Sequence, residues 1–101
     1  MNTLFAVRRR HGFAWDDSAP MRSQRLWAEH AAVMDRFAHE GLIVLGGPIG
    51  AGGETSEETL LIFAAESEAA IRTHLEEDPW TTSGHLEYVR IEPWLILLGK
   101  P

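Results

Sequence analysis

Residues 26–40 constrain the fold most, because apolar side chains recur there at helical spacing with one histidine among them. Leu26, His30, Val33 and Phe37 fall on one side of a helix. The pattern predicts an amphipathic helix with His30 facing inward. A buried imidazole needs hydrogen-bond partners, so His30 either is satisfied in the core or lines a polar pocket. Periodicity alone favours the core interpretation.

The rest of the chain predicts strands and a second helix. Apolar and β-branched runs predict strands at residues 3–10, 42–45, 57–65 and 86–91, with a last apolar strand at 94–98. Gly41 suits the left-handed position that ends the first helix. Ser67 is a suitable N-cap for a second helix, which Pro79 should end near Asp78. Residues 80–84 are expected to form a turn.

This order of elements predicts an α+β, ferredoxin-like βαββαβ fold with an extra C-terminal strand. Two helices would pack on one face of an antiparallel sheet. The other face needs a cover, and in so small a domain we expect a second copy of the chain to provide it. The 101 residues are interpreted as a single domain, 1–101.

Three local patterns carry further expectations. The arginines at positions 8–10 should carry the first strand toward solvent. The glycine-rich segment at 46–53 predicts turns or bulges, because neither phosphate-binding glycine pattern is present. Residues 11–21 predict a loop, in which Trp15 could cap a pocket but more simply covers the edge of the core.

Charge and composition exclude several kinds of function. The net charge of −6 makes nucleic acid an unexpected partner, since such a surface repels phosphates. The absence of cysteine excludes disulfides, thiolate metal sites and cysteine nucleophiles. No histidine pair has metal-binding helical spacing, so we expect neither metal nor cofactor. No apolar segment reaches the roughly 20 residues of a membrane span, so we expect no membrane partner and a cytoplasmic location.

The order of several short motifs resembles the YCII-related domain family over residues 1–98. The motifs are His30 in the first helix, Gly41 before a strand that enters Gly46-Gly47-Pro48, Ser67, Asp78-Pro79-Trp80, Gly84, and the sequence Arg-Ile-Glu-Pro-Trp at 90–94. The resemblance implies a ferredoxin-like domain that dimerises sheet to sheet into an α+β barrel. One branch of the family is a dehydrochlorinase of chlorinated hydroxyquinols, and related barrels carry lactone isomerases and haem or oxygen chemistry.

The same resemblance implies a pocket whose histidine and aspartate match His30 and Asp78. Beside them, Gly47, Pro48 and Trp80 are expected to bind a ligand. Family members often carry an arginine shortly before the histidine, and the candidates for that position are Arg22 and Arg25.

Three functions remain open from the sequence. The first is a lyase- or isomerase-type enzyme in a homodimer, in which His30 is the general acid/base and Asp78 orients it. The second is a non-catalytic or regulatory module that binds a small aromatic or acidic ligand. The third is a structural dimerising domain with His30 satisfied in the core. Local chemistry alone makes Asp78 a helix-ending turn residue.

Overall fold

The computed structural model describes residues 3–99, which form a mixed α+β fold. In chain order the elements are β1 (Thr3–His11), α1 (Trp27–His39), β2 (Ile43–Ile49), β3 (Glu58–Ala65), α2 (Glu68–Leu75), α3 (Pro79–Thr82) and β4 (Leu86–Pro93). Across these residues the strands make one antiparallel sheet in the order β2-β3-β1-β4. This is the ferredoxin-like strand order, so the predicted fold class is confirmed.

One face of the sheet carries the hydrophobic core together with both longer helices. Alternation along β1 and β3 directs every second side chain to this face, and Phe5 and Phe63 are opposite one another in the ladder. The ring of Phe37 in α1 meets Phe63 edge-on, with 6.0 Å between centroids. The buried members of this core are Phe5, Val7, Phe37, Ile43, Leu61, Phe63, Ala65, Ile71 and Leu75.

The helix ends follow the sequence signals. Gly41 has a φ of 81°, and its N–H donates to the carbonyl of Ala38 at 3.2 Å. The N–H of Leu42 donates to the carbonyl of Phe37 at 2.9 Å. These two bonds form the Schellman arrangement that satisfies the last carbonyls of α1, which confirms the predicted end. Ser67 caps α2 by accepting a hydrogen bond from the N–H of Ala70 at 3.1 Å.

The predicted strand at 94–98 is wrong, because β4 ends at Pro93 and residues 94–99 form no strand. Proline lacks the N–H that would continue the ladder, and the pairing finishes with the N–H of Trp94 donating to the carbonyl of Leu4 at 2.8 Å. The expected turn at 80–84 is also wrong in part. Pro79–Thr82 form the short helix α3, which Asp78 caps through the N–H of Trp80.

The glycine-rich segment turns from Gly50 onward, as the sequence predicted, but not at its first glycines. Gly46 and Gly47 lie within β2, which continues through Pro48 to Ile49 opposite β3. A Cβ at Gly46 would meet the end of the Leu61 side chain, which would have to move to make room. The irregularity in the ladder lies earlier, between Ile43 and Leu45, and the predicted bend at 46–48 is therefore wrong.

The expectation that all three arginines of β1 face solvent is also wrong. Arg9 continues the alternation of Phe5 and Val7 and points into the molecule, where its side chain is 2% exposed. Arg8 and Arg10 lie on the opposite face and pair with Glu58 and Glu87. A buried guanidinium needs a charged partner, and the partner of Arg9 lies in the candidate site.

Candidate active site

A cavity of about 340 Å³ lies between α1 and the helix-facing side of the sheet, next to the apolar core. Its wall combines a histidine, a guanidinium, aromatic rings and strand backbone. The residues that carry these groups are Arg9, His30, Gly47, Pro48, Trp27 and Trp80. Four of the predicted site residues, His30, Gly47, Pro48 and Trp80, therefore line one cavity.

His30 and Asp78 are in direct contact, although 48 positions separate them along the chain. The imidazole Nδ1 lies 2.8 Å from Asp78 Oδ1, and the carboxylate is completely buried. Because an ionised carboxylate only accepts hydrogen bonds, the pair places the proton on Nδ1. The second ring nitrogen, Nε2, has no hydrogen-bond partner within residues 3–99. The imidazole is thus oriented from one side and free on the other.

The carboxylate of Asp78 accepts hydrogen bonds from three donors, which are His30, Arg9 and the N–H that it caps at the start of α3. Arg9 Nη1 lies 3.0 Å from Oδ2, and the N–H of Trp80 donates to Oδ1 at 3.0 Å. The same Arg9 nitrogen donates to the hydroxyl of Thr81 at 3.1 Å. Burial pushes the pKa of Asp78 upward, but the hydrogen bond from His30 and the positive charge of Arg9 outweigh it and lower the pKa. Asp78 therefore stays ionised.

Trp80 forms a shelf beneath the imidazole. Its ring stacks on His30 with 3.9 Å between centroids and 14° between planes. The indole Nε1 donates to the carbonyl of Arg25 at 2.8 Å. The next residue, Leu26, has a φ of 67°, an unfavourable backbone region for a branched side chain. Leu26 is the N-cap of α1, and one turn later in that helix His30 stacks on Trp80.

The two predicted arginines lie outside the wall of this cavity. Arg22 pairs with Glu54 at 3.1 Å, and its guanidinium lies 5.2 Å from the ring of Trp27. Arg25 contributes its carbonyl to Trp80, while its side chain is exposed. Their predicted ligand-binding role stays a prediction.

A model of the YCII-related domain family matches residues 1–95. The chain belongs to the YCII-related domain family. Its architecture is similar to the structure of 5-chloro-2-hydroxyhydroquinone dehydrochlorinase from Burkholderia phenoliruptrix AC1100 in complex with 2,5-dihydroxybenzoquinone. That likeness has a TM-score of 0.58 and 25% identity, and covers 91% of this chain and 93% of the other. No curated protein matches the chain significantly.

In this YCII-related domain, the loop that follows β1 also reaches the cavity. Trp15 lines it and stacks on His11 with 3.6 Å between ring centroids. The loop is held where Gly12 and Gly84 approach closely: the N–H of Gly12 donates to the carbonyl of His85 at 2.8 Å. A Cβ at Gly12 would overlap the carbonyl of Gly84, so only glycine fits there. Trp15 thus lines the pocket, beyond the edge-covering role that the sequence favoured.

His85 is a buried residue behind the Trp80 shelf. Its ring lies parallel to Trp80 with 5.7 Å between centroids, and its Nδ1 lies 2.6 Å from the hydroxyl of Ser83. Burial lowers the pKa of His85, and the charges of Arg25 and His30 lower it further. His85 therefore favours the neutral form and adds no charge behind the shelf.

Sequence reasoning missed Arg9, the residue that balances the charge of Asp78. The signal was present, since Phe5, Val7 and Arg9 alternate on one face of β1. The neighbouring Arg8 and Arg10 obscured it, because a run of charges is usually solvated.

Within residues 3–99, no group of three or more histidine, aspartate or glutamate side chains is arranged to hold a metal ion. Over the same part of the chain, every helix is too short or too polar to cross a bilayer.

Proposed function

We propose that this YCII-related domain catalyses proton transfer on a small hydroxylated ring, in a reaction of the lyase or isomerase type. His30 is the general acid/base, and Asp78 is the residue that orients it. The observation that carries the proposal is the 2.8 Å contact between His30 Nδ1 and the buried carboxylate, which leaves Nε2 without a protein partner on a cavity wall. General acid/base catalysis of this kind contributes roughly 10²–10⁴-fold in rate.

The surroundings of His30 support a planar substrate. Trp80 and Trp27 supply aromatic faces beside the imidazole, and Met34 adds an adaptable apolar surface. The similar dehydrochlorinase acts on a chlorinated hydroxyhydroquinone, and we propose hydroxylated rings of that class for this chain.

The proton transfers of such a reaction balance. Tautomerisation moves a proton from a ring hydroxyl to the carbon that bears chlorine. Loss of a proton from a second hydroxyl then expels chloride, so that HCl leaves and a hydroxyquinone remains. An imidazole that can accept and return a proton at Nε2 serves both transfers, while the charge of Asp78 stabilises the imidazolium between them.

The proposal includes a homodimer. Leu4, Ala6 and Leu60 lie on the sheet face opposite the helices and are half-buried, while Ile62 on the same face is already buried. Leu95, Leu97 and Leu98 beyond β4 are more than 80% exposed. An apolar surface of this extent favours a second copy of the chain as its cover. Light scattering at micromolar concentration tests this, and a monomer would contradict it.

Turnover of 5-chloro-2-hydroxyhydroquinone tests the catalytic proposal, followed by chloride release and by the absorbance of the quinone product. We expect His30→Gln to lower the rate about 10²–10⁴-fold. His39→Gln provides a matched control, because His39 is on the same helix but exposed. It should leave the rate unchanged.

Equal rates in both variants would remove His30 from the mechanism. If the wild type turns over no hydroxylated ring but is still stabilised thermally by 2,5-dihydroxybenzoquinone, the domain is a binding module instead.

A further inference from the structure

Three residues that line the cavity each carry a buried polar side-chain atom without a hydrogen-bond partner among residues 3–99. These atoms are Nε of Arg9, the hydroxyl of Ser56 and the hydroxyl of Thr59. Just one other side-chain nitrogen or oxygen of residues 3–99 is in this state, the hydroxyl of Tyr88. Unpartnered buried polar atoms are few in folded proteins, because each one lowers stability. Their concentration around one cavity therefore indicates a common purpose.

The sheet brings these groups together. Arg9 and Thr59 are directly opposite in the β1–β3 ladder, and Thr59 is opposite Pro48 in the β2–β3 ladder. Residues opposite in a ladder have Cβ atoms about 4.5–5.5 Å apart on the same face. Ser56 comes just before β3 and reaches the same wall. The pair of Arg9 and Thr59 lies directly beyond the apolar core, since Val7 and Leu61 form the preceding pair on the same face.

The other nitrogens of Arg9 are already engaged. Nη1 bonds to Asp78 and Thr81, and Nη2 lies 4.0 Å from the sulfur of Met34. The guanidinium is 2% exposed, and Nε is its one nitrogen without a partner among residues 3–99. The pairing with Asp78 balances its charge, and the wall as a whole therefore suits a neutral or partly negative oxygen better than a full anion.

We propose that Arg9, Ser56 and Thr59 form an oxygen-binding subsite, which receives a keto or phenolic oxygen of a ring whose other end lies against His30. This inference rests on the proposed function for the position of the ring, and it adds the group that fixes the orientation of the ring. Arg9 Nε donates to the oxygen. The hydroxyls of Ser56 and Thr59 donate or accept, so the subsite takes both the hydroxyl and the keto form of the substituent.

Calorimetric binding of hydroquinone and phenol, which differ by one oxygen, tests the subsite. We expect the wild type to bind hydroquinone more tightly, and Thr59→Val to reduce this preference about two- to tenfold, as expected for one hydrogen bond. Ser56→Ala should act in the same direction. Thr73→Val is the matched control, because Thr73 is exposed on α2, and it should keep the wild-type preference.

The stability of the ligand-free protein provides a second measurement. Valine keeps the shape of threonine but removes the unpartnered hydroxyl, so Thr59→Val should leave Tm unchanged or raise it. A merely structural hydroxyl, satisfied by water, would instead lower Tm on substitution and leave the preference unchanged. That combination would overturn the proposal, as would equal binding of the two probes by the wild type.

Binding and turnover separate this inference from the proposed function. If hydroquinone preference depends on Thr59 but no hydroxylated ring is turned over, the subsite stands and the catalytic proposal fails. If turnover depends on His30 but the preference is the same in wild type and Thr59→Val, the subsite fails alone.

Discussion

The helix-facing side of the sheet has two halves of opposite character. In the apolar half, Phe5 and Val7 pair with Phe63 and Leu61 and form the centre of the hydrophobic core. In the polar half, the next pair is Arg9 and Thr59, and the surroundings hold a buried ion pair and a cavity. The two halves are only two positions apart along each strand. One stabilises the fold, and the other holds buried polar groups that are unfavourable to stability. The stability of the apolar half allows a small domain to tolerate the polar half.

The largest effect should follow from removing the Arg9 charge, which disrupts the polar half alone. Arg9→Met leaves the buried carboxylate of Asp78 without its cation, and loss of one partner from a buried pair costs about 3–5 kcal/mol. Urea unfolding at fixed protein concentration measures this loss. Arg8→Met is the control, because Arg8 pairs with Glu58 at the surface and should lose less than about 1 kcal/mol.

A double variant sharpens this test. Arg9→Met with Asp78→Asn removes both charges, so it should lose less stability than the sum of the two single variants. Additive losses would mean that the two residues do not depend on each other, and the contrast between the halves would lose its electrostatic basis.

Acid should produce the next largest effect, because protonation of Asp78 removes its charge but keeps its oxygens. Burial raises the pKa of Asp78, but the hydrogen bond from His30 and the charge of Arg9 outweigh it and lower the pKa below the ordinary value of roughly 3.9. A lowered folded pKa contributes stability that is fully present above the unfolded value and is lost as pH falls through the folded one. The difference in unfolding free energy between wild type and Asp78→Asn should therefore shrink below about pH 4. A difference independent of pH down to 2 would contradict this.

A small change in the apolar half should affect stability alone. Ile71 is fully buried in α2, and Ile71→Val removes one methylene at a cost of about 0.5–1.5 kcal/mol. Thermal unfolding measures the loss, and calorimetry with hydroquinone and phenol should return the wild-type preference. A changed preference would show that the two halves are coupled through packing.

The smallest effect is expected at the surface beside the cavity. Arg22 and Glu54 form an ion pair in which both side chains are more than half exposed. Solvent screens such pairs, so Arg22→Gln should change the unfolding free energy by less than about 1 kcal/mol, and less still at high salt. If the variant nevertheless weakens ligand binding strongly, Arg22 reaches the ligand as the sequence resemblance predicted.

Most of the fold could be predicted because its signals are local. Helix α1 follows from apolar spacing, its end from Gly41, and the start of α2 from Ser67. The predicted strand at 94–98 failed because an apolar run does not reveal whether a neighbouring strand is free to pair. β4 is an edge strand of the sheet, and it ends at Pro93, which has no N–H to donate.

The site was predictable in part. The family resemblance implied that His30 and Asp78 share a pocket, and the two side chains are 2.8 Å apart, while their role in a reaction stays a prediction. Thr59 gave no signal, since a threonine in a strand is ordinary. Its significance comes from its place opposite Arg9 and from its unpartnered hydroxyl, which are properties of the folded sheet.

The position of β1 in the sheet has a consequence for folding. Although it precedes the other strands in the chain, β1 pairs only with β3 and β4, and Arg9 meets an aspartate 69 positions later. During synthesis, therefore, β1 cannot pair until β3 and β4, its partner strands, have been made. Contacts of such long sequence separation slow folding, because loop closure must precede the interactions that reward it. A nascent chain therefore cannot form the His30–Asp78–Arg9 cluster before residue 78 has been synthesised.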